Sequence, residues 1–476
     1  MSAERTVLVG GLSTVHDALL AAALRGVGRR AEALHPRTDA GLRRARALGN
    51  HGQCNPAHYA VGAVLEHARR SGLEPSVFAA QNTWLTVGSC GPCRLSAFGF
   101  EYARVLGGAG LEELPVAFVD QLTLVDGPLR EGPGSSLSRL TAKEADALLL
   151  AIVAADVLTL LGHGLRPYAL EPAAVDEIVT RATWEVAEAL ERRAPLLDAI
   201  ARAKSRADAT ERDPTRVLPR VLLVGEPWTT LADGDPSYDL VRRLGAFGVE
   251  VETPTATDWL RYRIWDAVRL EYRGDATARP RLRRLVDATM LGALSRADRR
   301  IVLTWRWLAR AAGLGAVGVS DMNELADLAR PHYDPDVRGG SAHLEVGRAR
   351  KAARDHTAHL VLSLKPFGCL PSSSLSDGVL SVLFRRGIGG PRFLALETTG
   401  DAAAAAESRI EMAVHNATLT AAQEFTTACD DCGISRSEAL AILDARVHAP
   451  FPAGPRTYAC TAAERVRREA LRARTP

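Results

Sequence analysis

Apolar positions along the chain follow two periods. Thr6 to Gly11 and Arg220 to Gly225 are unbroken apolar runs that read as buried strands, and each feeds an apolar stripe at helical spacing. After the first, the pattern predicts a helix over 15–27, a short strand over 31–34 and a Gly-, Asn- and Pro-dense loop over 50–56. It then predicts a helix over 58–69, an extended run within 77–87, a helix over 95–106 and a strand over 114–119. Gly127 to Ser138 reads as a linker. Residues 141–161 read as a long buried helix, Arg166-Pro167-Tyr168 breaks it, and 173–207 is helical again. The second strand start leads through the turn Asp233-Gly234-Asp235-Pro236 to a helix over 238–247 and a strand over 249–252. Helical spacing at 258–272, 281–312, 345–356, 377–385 and 402–417 is interleaved with strands at 360–364 and 392–396, and Ser376 or a neighbouring serine is the candidate cap of the helix at 377.

Strand alternating with helix implies parallel sheets with ligands at the strand ends. The expected architecture is therefore α/β. Two open parallel-sheet (Rossmann/flavodoxin-like) domains, over 1–130 and 217–420, are joined by a helical connector over 139–212 and followed by a C-terminal helical extension over 421–476. No repeat of fixed period is visible. At 476 residues the chain exceeds what one core serves, and 47% hydrophobic with 24% charged residues is the make-up of an ordinary soluble globular protein. The formal charge of +3 is too small to point to nucleic acid, and the arginines of the tail, Arg465 to Arg474, read as a solvated helix face. The N-terminal residues lack the basic and apolar regions of a signal peptide, and the longest apolar segment, 147–162, contains Asp156 and is shorter than the roughly 20 residues of a bilayer span. The expected compartment is the cytoplasm, with no membrane partner. Thiols stay reduced there, so grouped cysteines point to metal or redox chemistry; seven cysteines, an odd number, also fit a disulfide framework poorly.

Ser89-Cys90-Gly91-Pro92-Cys93-Arg94 places two thiols on a Gly-Pro turn before a helix. Thiolates bind soft metals, and Cys-x-x-Cys lets one turn supply two of them. Cys54, in His51-Gly-Gln-Cys-Asn-Pro56, and Cys369, in Lys365-Pro-Phe-Gly-Cys-Leu-Pro371, lie in loops of similar build, the second after a strand. Cys54, Cys90, Cys93 and Cys369 are read as meeting in space around an iron–sulfur cluster. Structural zinc also takes four thiolates, but ordinarily from two Cys-x-x-Cys knuckles. A thioredoxin-like redox pair at Cys90 and Cys93 would leave Cys54 and Cys369 unexplained. Cys429-Asp-Asp-Cys432 is a weaker second site, since its aspartates oppose thiolate formation.

These motifs, with Arg166-Pro-Tyr, Gly225-Glu-Pro-Trp, Leu370-Pro-Ser-Ser and Ser376-Asp-Gly-Val, stand in an order that resembles the 2-hydroxyacyl-CoA dehydratase superfamily. The likeness is greatest to the region after the ATPase domain of large CoA-enzyme activases, which also exists as stand-alone proteins, and covers roughly 45–420. The resemblance implies a low-potential iron–sulfur protein, with a [4Fe-4S] cluster on Cys54, Cys90, Cys93 and Cys369. Its partner would be an ATPase activator of the actin/Hsp70 fold or a paralogous subunit. The electron would pass to a CoA thioester, making the chain a lyase (dehydratase) component, or to another small molecule, making it an ATP-dependent reductase component. Dehydratase subunits proper use three cysteines; a four-thiolate set favours electron transfer over substrate ligation. The alternative is a non-enzymatic interaction subunit of the same fold, zinc-bound or metal-free.

The chain carries no Gly-x-x-x-x-Gly-Lys-Ser/Thr loop, so ATP would enter only through a partner chain. Gly10-Gly11 and Gly387-Ile-Gly-Gly390 read as ordinary loops. Glu226 follows a strand and is a candidate proton acceptor or a helix cap. Ser372 and Ser373, with Ser374, are candidate donors to a cluster or ligand. Arg94 is placed to offset negative charge. His51 and His58, flanking Cys54, read as structural, and Trp305 and Trp307 as core and face of a helix.

Overall fold

A computed structural model of the chain describes residues 5–88, 93–119, 130–131, 140–272, 281–315, 317–337, 340–387, 390–399, 403–445 and 454–474. The strands are β1 (Thr6–Val9), β2 (Ala31–Ala33), β3 (Asn82–Val87), β4 (Val116–Val119), β5 (Arg130–Glu131), β6 (Arg220–Gly225), β7 (Glu250–Glu252), β8 (Leu360–Pro366) and β9 (Arg392–Thr398). They form two sheets, ordered β2-β1-β3-β4-β5 and β7-β6-β8-β9. All pairings are parallel except that of β5, an antiparallel edge strand inside the expected linker.

The protein is thus α/β, with two open parallel sheets, and both are wound in the same sense: the first strand lies between the second and the third. In such sheets the chain leaves in opposite directions from the first and third strands, which opens a crevice beyond their carboxyl ends. The register aligns Val9 with Leu85 in one sheet and Gly225 with Leu364 in the other.

Burial on both faces explains why the strands read as continuous apolar runs rather than alternating ones. Leu8, Trp84 and Val116 face the helices Asn55–Ser71 and Phe98–Gly108, while Val7, Val9, Leu85 and Ala117 face Thr14–Gly26. In the second sheet Leu223, Leu362 and Leu364 pack against Ala403–Cys432, and Leu222, Val224 and Val361 against Ala342–Asp355.

The helical connector contains Ala142–Leu165, Pro172–Glu191 and Leu196–Ala209. The first opens with a capping box between Thr141 and Glu144. The helical run expected over 173–207 divides where Arg193 turns to φ 54° ahead of Pro195. Ala142–Leu165 is the one helix among the described residues long and apolar enough to cross a membrane, and most of it is buried inside the protein. Ala151, Val157 and Leu158 share one core with Leu19 and Ala22 of the first domain and with Ile301 and Trp305 of the long helix Arg281–Ala311.

Helices outside the sequence expectation include Asp39–Leu48, Met322–Ala329 and Pro75–Gln81, the last partly within the expected extended run over 77–87. Another extends well beyond it: Ala403–Cys432 runs unbroken past residue 417 into the C-terminal segment, where Phe425, Cys429 and Cys460 pack with Leu443 and Val466.

Candidate functional site

The carboxyl end of β6 is shaped by a glycine. Gly225 sits at φ 125°, and a Cβ built on it would stand 2.0 Å from the Leu364 carbonyl oxygen, so only glycine lets β6 and β8 approach this closely. The next residue, Glu226, caps the helix Pro227–Leu231: its carboxylate accepts from the N–H groups of Trp228 (3.0 Å) and Thr229 (2.7 Å) and from Thr229 Oγ1 (2.9 Å). Burial raises the Glu226 pKa and those donors oppose the rise.

Three of the sequence-predicted thiols come into electrostatic range of this carboxylate, each from a different element. Cys54 immediately precedes the helix Asn55–Ser71 and is buried. Its position is fixed from both domains: Asn55 Nδ2 donates to the Thr398 carbonyl at the end of β9 (2.7 Å), and Tyr59, one turn on, packs on Trp228 at 5.8 Å between ring centroids. Cys93 precedes the turn Arg94–Ala97, and Cys369 follows β8, with Ser373 N donating to its carbonyl (3.0 Å). Arg94 reaches across from the first domain: a Cβ on Gly368 would lie 3.1 Å from its Nη1.

Burial pushes the Cys54 thiol up to about 12, with Glu226 and then Cys93 adding to the rise and Arg94 opposing it. Cys93 is raised by burial and by Glu226, and lowered by the Leu95 N–H, Arg94 and Arg263. Cys369 is raised by burial, then by Glu226 and Glu345, against hydrogen bonds from the Ser372 N–H and hydroxyl. Cys54 is thus within electrostatic range of Cys93, and all three thiols are within range of Glu226. Cys90 lies outside the described residues. Among the described residues no three His, Cys, Asp or Glu side chains form a group that could hold a metal ion.

The chemistry of this donor set suits soft metal. Neutral buried thiols become ligands by losing their protons to solvent as the sulfurs bind a cationic centre, whose own charge reverses the local electrostatics. Peptide N–H donors at Leu95 and Ser372 already serve two of the sulfurs, as hydrogen bonds to cluster ligands do.

Beneath Cys369 lies a charged cage that sequence reasoning missed. Lys365 is 1% exposed, ion-paired with Asp377 and 3.2 Å from Ser363 Oγ. Burial lowers its pKa to about 8, against the pull of Glu345, Glu397 and Cys369. Ser372 and Ser376 donate to Glu345 (2.7 and 2.5 Å), and Ser373 donates to Glu397 (2.6 Å). The Glu345 pKa is raised to about 7 by burial, with the two serines and Lys365 opposing. The hydroxyls of Ser372 and Ser373 are therefore directed at carboxylates, and Ser376 is helical and makes no side-chain cap for the helix Asp377–Arg385. The signal in the sequence was a lysine near the end of a strand whose other residues, Ser363 apart, are apolar.

The other candidates are placed as follows. His58 is buried, with Nε2 3.2 Å from Glu101, and His51 is exposed. Gly11 and Leu12 donate their N–H groups to Asp17 (3.1 and 3.0 Å), so this loop closes on its own helix. Of Gly387-Ile-Gly-Gly390, residues 388–389 lie outside the described residues. Trp305 is buried and Trp307 exposed. Cys429 and Cys432 are buried on the last turn of their helix; burial raises the Cys429 pKa, opposed by Arg436.

No protein-family model, no curated protein and no solved structure matches this chain.

Proposed function

We infer that the chain is an iron–sulfur protein resembling the components of 2-hydroxyacyl-CoA dehydratases and their activases, working in the cytoplasm. The observation that carries this reading is the approach of Cys54, Cys93 and Cys369, from three elements and two domains, to the single carboxylate of Glu226 at the carboxyl ends of β6 and β8. With Cys90 on the same turn as Cys93, four thiolates would hold a [4Fe-4S] cluster. When bound, it would supply one-electron chemistry at low potential. Arg94 offsets part of the negative charge at the site, and Glu226 adds to it, which disfavours electron uptake and keeps a potential low. Burial of Cys54 and Cys369 excludes water. The electron would come from an actin/Hsp70-fold ATPase, the only point at which ATP enters, and go to a CoA thioester or another small molecule.

Anaerobic reconstitution with iron and sulfide tests this. The expected product is brown, holds about four irons per chain and gives a reduced-state EPR signal after dithionite. Cys54→Ala and Cys369→Ala should each lower iron content. A chain that takes up zinc stoichiometrically and no iron, staying colourless, would overturn the reading in favour of a zinc-stabilised interaction subunit.

A further inference from the structure

A cavity of about 650 Å³ lies where the two sheet domains and the helical connector meet. The helix Pro227–Leu231 joins it to the cysteine site: Glu226 caps one end, and Thr230 to Ala232 at the other end line the cavity. Residues 13–14, 36–37 and 253–255, which follow β1, β2 and β7, form further walls, so the cavity opens at the carboxyl ends of both sheets. Ligands of α/β proteins collect there, and the volume falls within the roughly 300–1,000 Å³ of small-molecule sites.

Three arginines and four aspartates line this space. Arg37 pairs with Asp233 (3.5 Å) and with Asp17 behind it (2.9 Å). Arg166 pairs with Asp176, and Arg242 with Asp176 (2.8 Å) and Asp239 (3.3 Å). Asp156 accepts from the N–H groups of Ala256 (3.1 Å) and Thr257 (2.7 Å) and from Thr257 Oγ1 (2.6 Å), with His16 Nε2 at 3.1 Å. These charges satisfy one another, and a charged ligand would be buried without a counter-charge.

What remains unused is hydrogen-bond donor capacity. Thr159 Oγ1 and the Nε–H groups of Arg37 and Arg166 are buried without a partner, and the two arginines are only 4% and 6% exposed. Buried donors of this kind call for acceptor oxygens. On the same wall Trp184 is 74% exposed, an uncommon state for so large an apolar face.

We propose that this cavity binds a neutral ring compound bearing several hydroxyl or carbonyl oxygens, of the kind nucleosides and monosaccharides share. The ring lies against Trp184, and the oxygens accept from Thr159, Arg37 and Arg166. The site is independent of the cysteine chemistry.

Isothermal titration of the full chain with adenosine, uridine and D-glucose tests this, with acetate and ethylamine as charged controls. At least one neutral probe should bind saturably with Kd below about 1 mM, and which one separates the nucleoside from the sugar source. Trp184→Ala, at an exposed position that leaves the fold intact, should weaken binding about tenfold; Thr159→Val should weaken it about fivefold. The proposal is overturned if no neutral probe saturates up to about 10 mM, if Trp184→Ala binds as the parent does, or if a charged control binds more tightly.

Discussion

The two sheets share a strand order, yet the loop after the first strand is used differently in each. After β1 the chain turns through Gly11, and the freed N–H groups of Gly11 and Leu12 are taken by Asp17, itself held by Arg37 at 2.9 Å. After β6 it turns through Gly225, and the freed N–H groups of Trp228 and Thr229 are taken by Glu226, which pairs with no arginine among the described residues and is in electrostatic range of three thiols. In both sheets a carboxylate occupies the place where α/β proteins commonly hold an anion. One is neutralised within its own domain; the other leaves its charge to the crevice. The same winding thus yields a corner whose carboxylate is neutralised and a candidate redox corner, and one or two side chains decide which.

The two glycines offer the strongest way to break the comparison. Gly225→Ala drives a Cβ into the Leu364 carbonyl and should cost about 4 kcal/mol in denaturant unfolding. Gly11 also has a positive φ, 136°, but open space around it, so Gly11→Ala should cost only about 1–2 kcal/mol. Equal losses would remove the distinction. Next comes the buried cation of β8, which its counterpart β3 lacks: β3 carries no charged residue. Lys365→Met leaves Asp377 and Glu345 without their cation and should destabilise by about 3 kcal/mol in the same assay.

A pH titration sharpens the contrast between buried histidines. His343, with both ring nitrogens unpartnered, is lowered by burial from 6.5 to about 4, whereas Glu101 opposes the fall at His58. The unfolded chain therefore binds the His343 proton first, and stability present above pH 6.5 is lost as the pH falls toward 4. Between pH 7 and 5 the loss should be about 2 kcal/mol, and His343→Phe should remove it. The smallest effect concerns the thiols. Glu226→Gln removes a like charge from their surroundings, so alkylation of Cys93 by iodoacetamide at pH 8 should quicken roughly threefold, while Arg94→Ala should slow it.

Where one periodicity ran long enough, the elements were legible: the apolar runs at 6–11 and 220–225 became strands, and Asp377–Arg385 falls on the expected residues. Asp39–Leu48 escaped because only Gly41, Leu42 and Ala45 of its ten residues are buried, too thin a stripe to stand out among arginines. Ala403–Cys432 was cut short because its later exposed turns carry Thr418, Thr420 and Thr426, β-branched residues that are weaker helix formers. At the site, local motifs named Cys54, Cys93, Cys369 and Glu226 and led to the expectation that the cysteines meet one another, but did not name the charged residues beside them. Glu345 lies near the start of the helix Ala342–Asp355 and Lys365 near the end of β8, and nothing in either neighbourhood announces the other. His16 and Asp156, 140 residues apart, form a contact that only the folded chain creates.

The apolar flank of Thr14–Gly26 belongs to the first sheet by sequence and to the connector by packing, since Leu19, Ala22 and Ala23 are sealed by Val157, Leu158 and Val186. A fragment cut at the end of the first sheet would bare that flank to water. The sheet that carries Cys54 and Cys93 therefore cannot be a self-sufficient module, and heat should unfold it cooperatively with the helices that shield it.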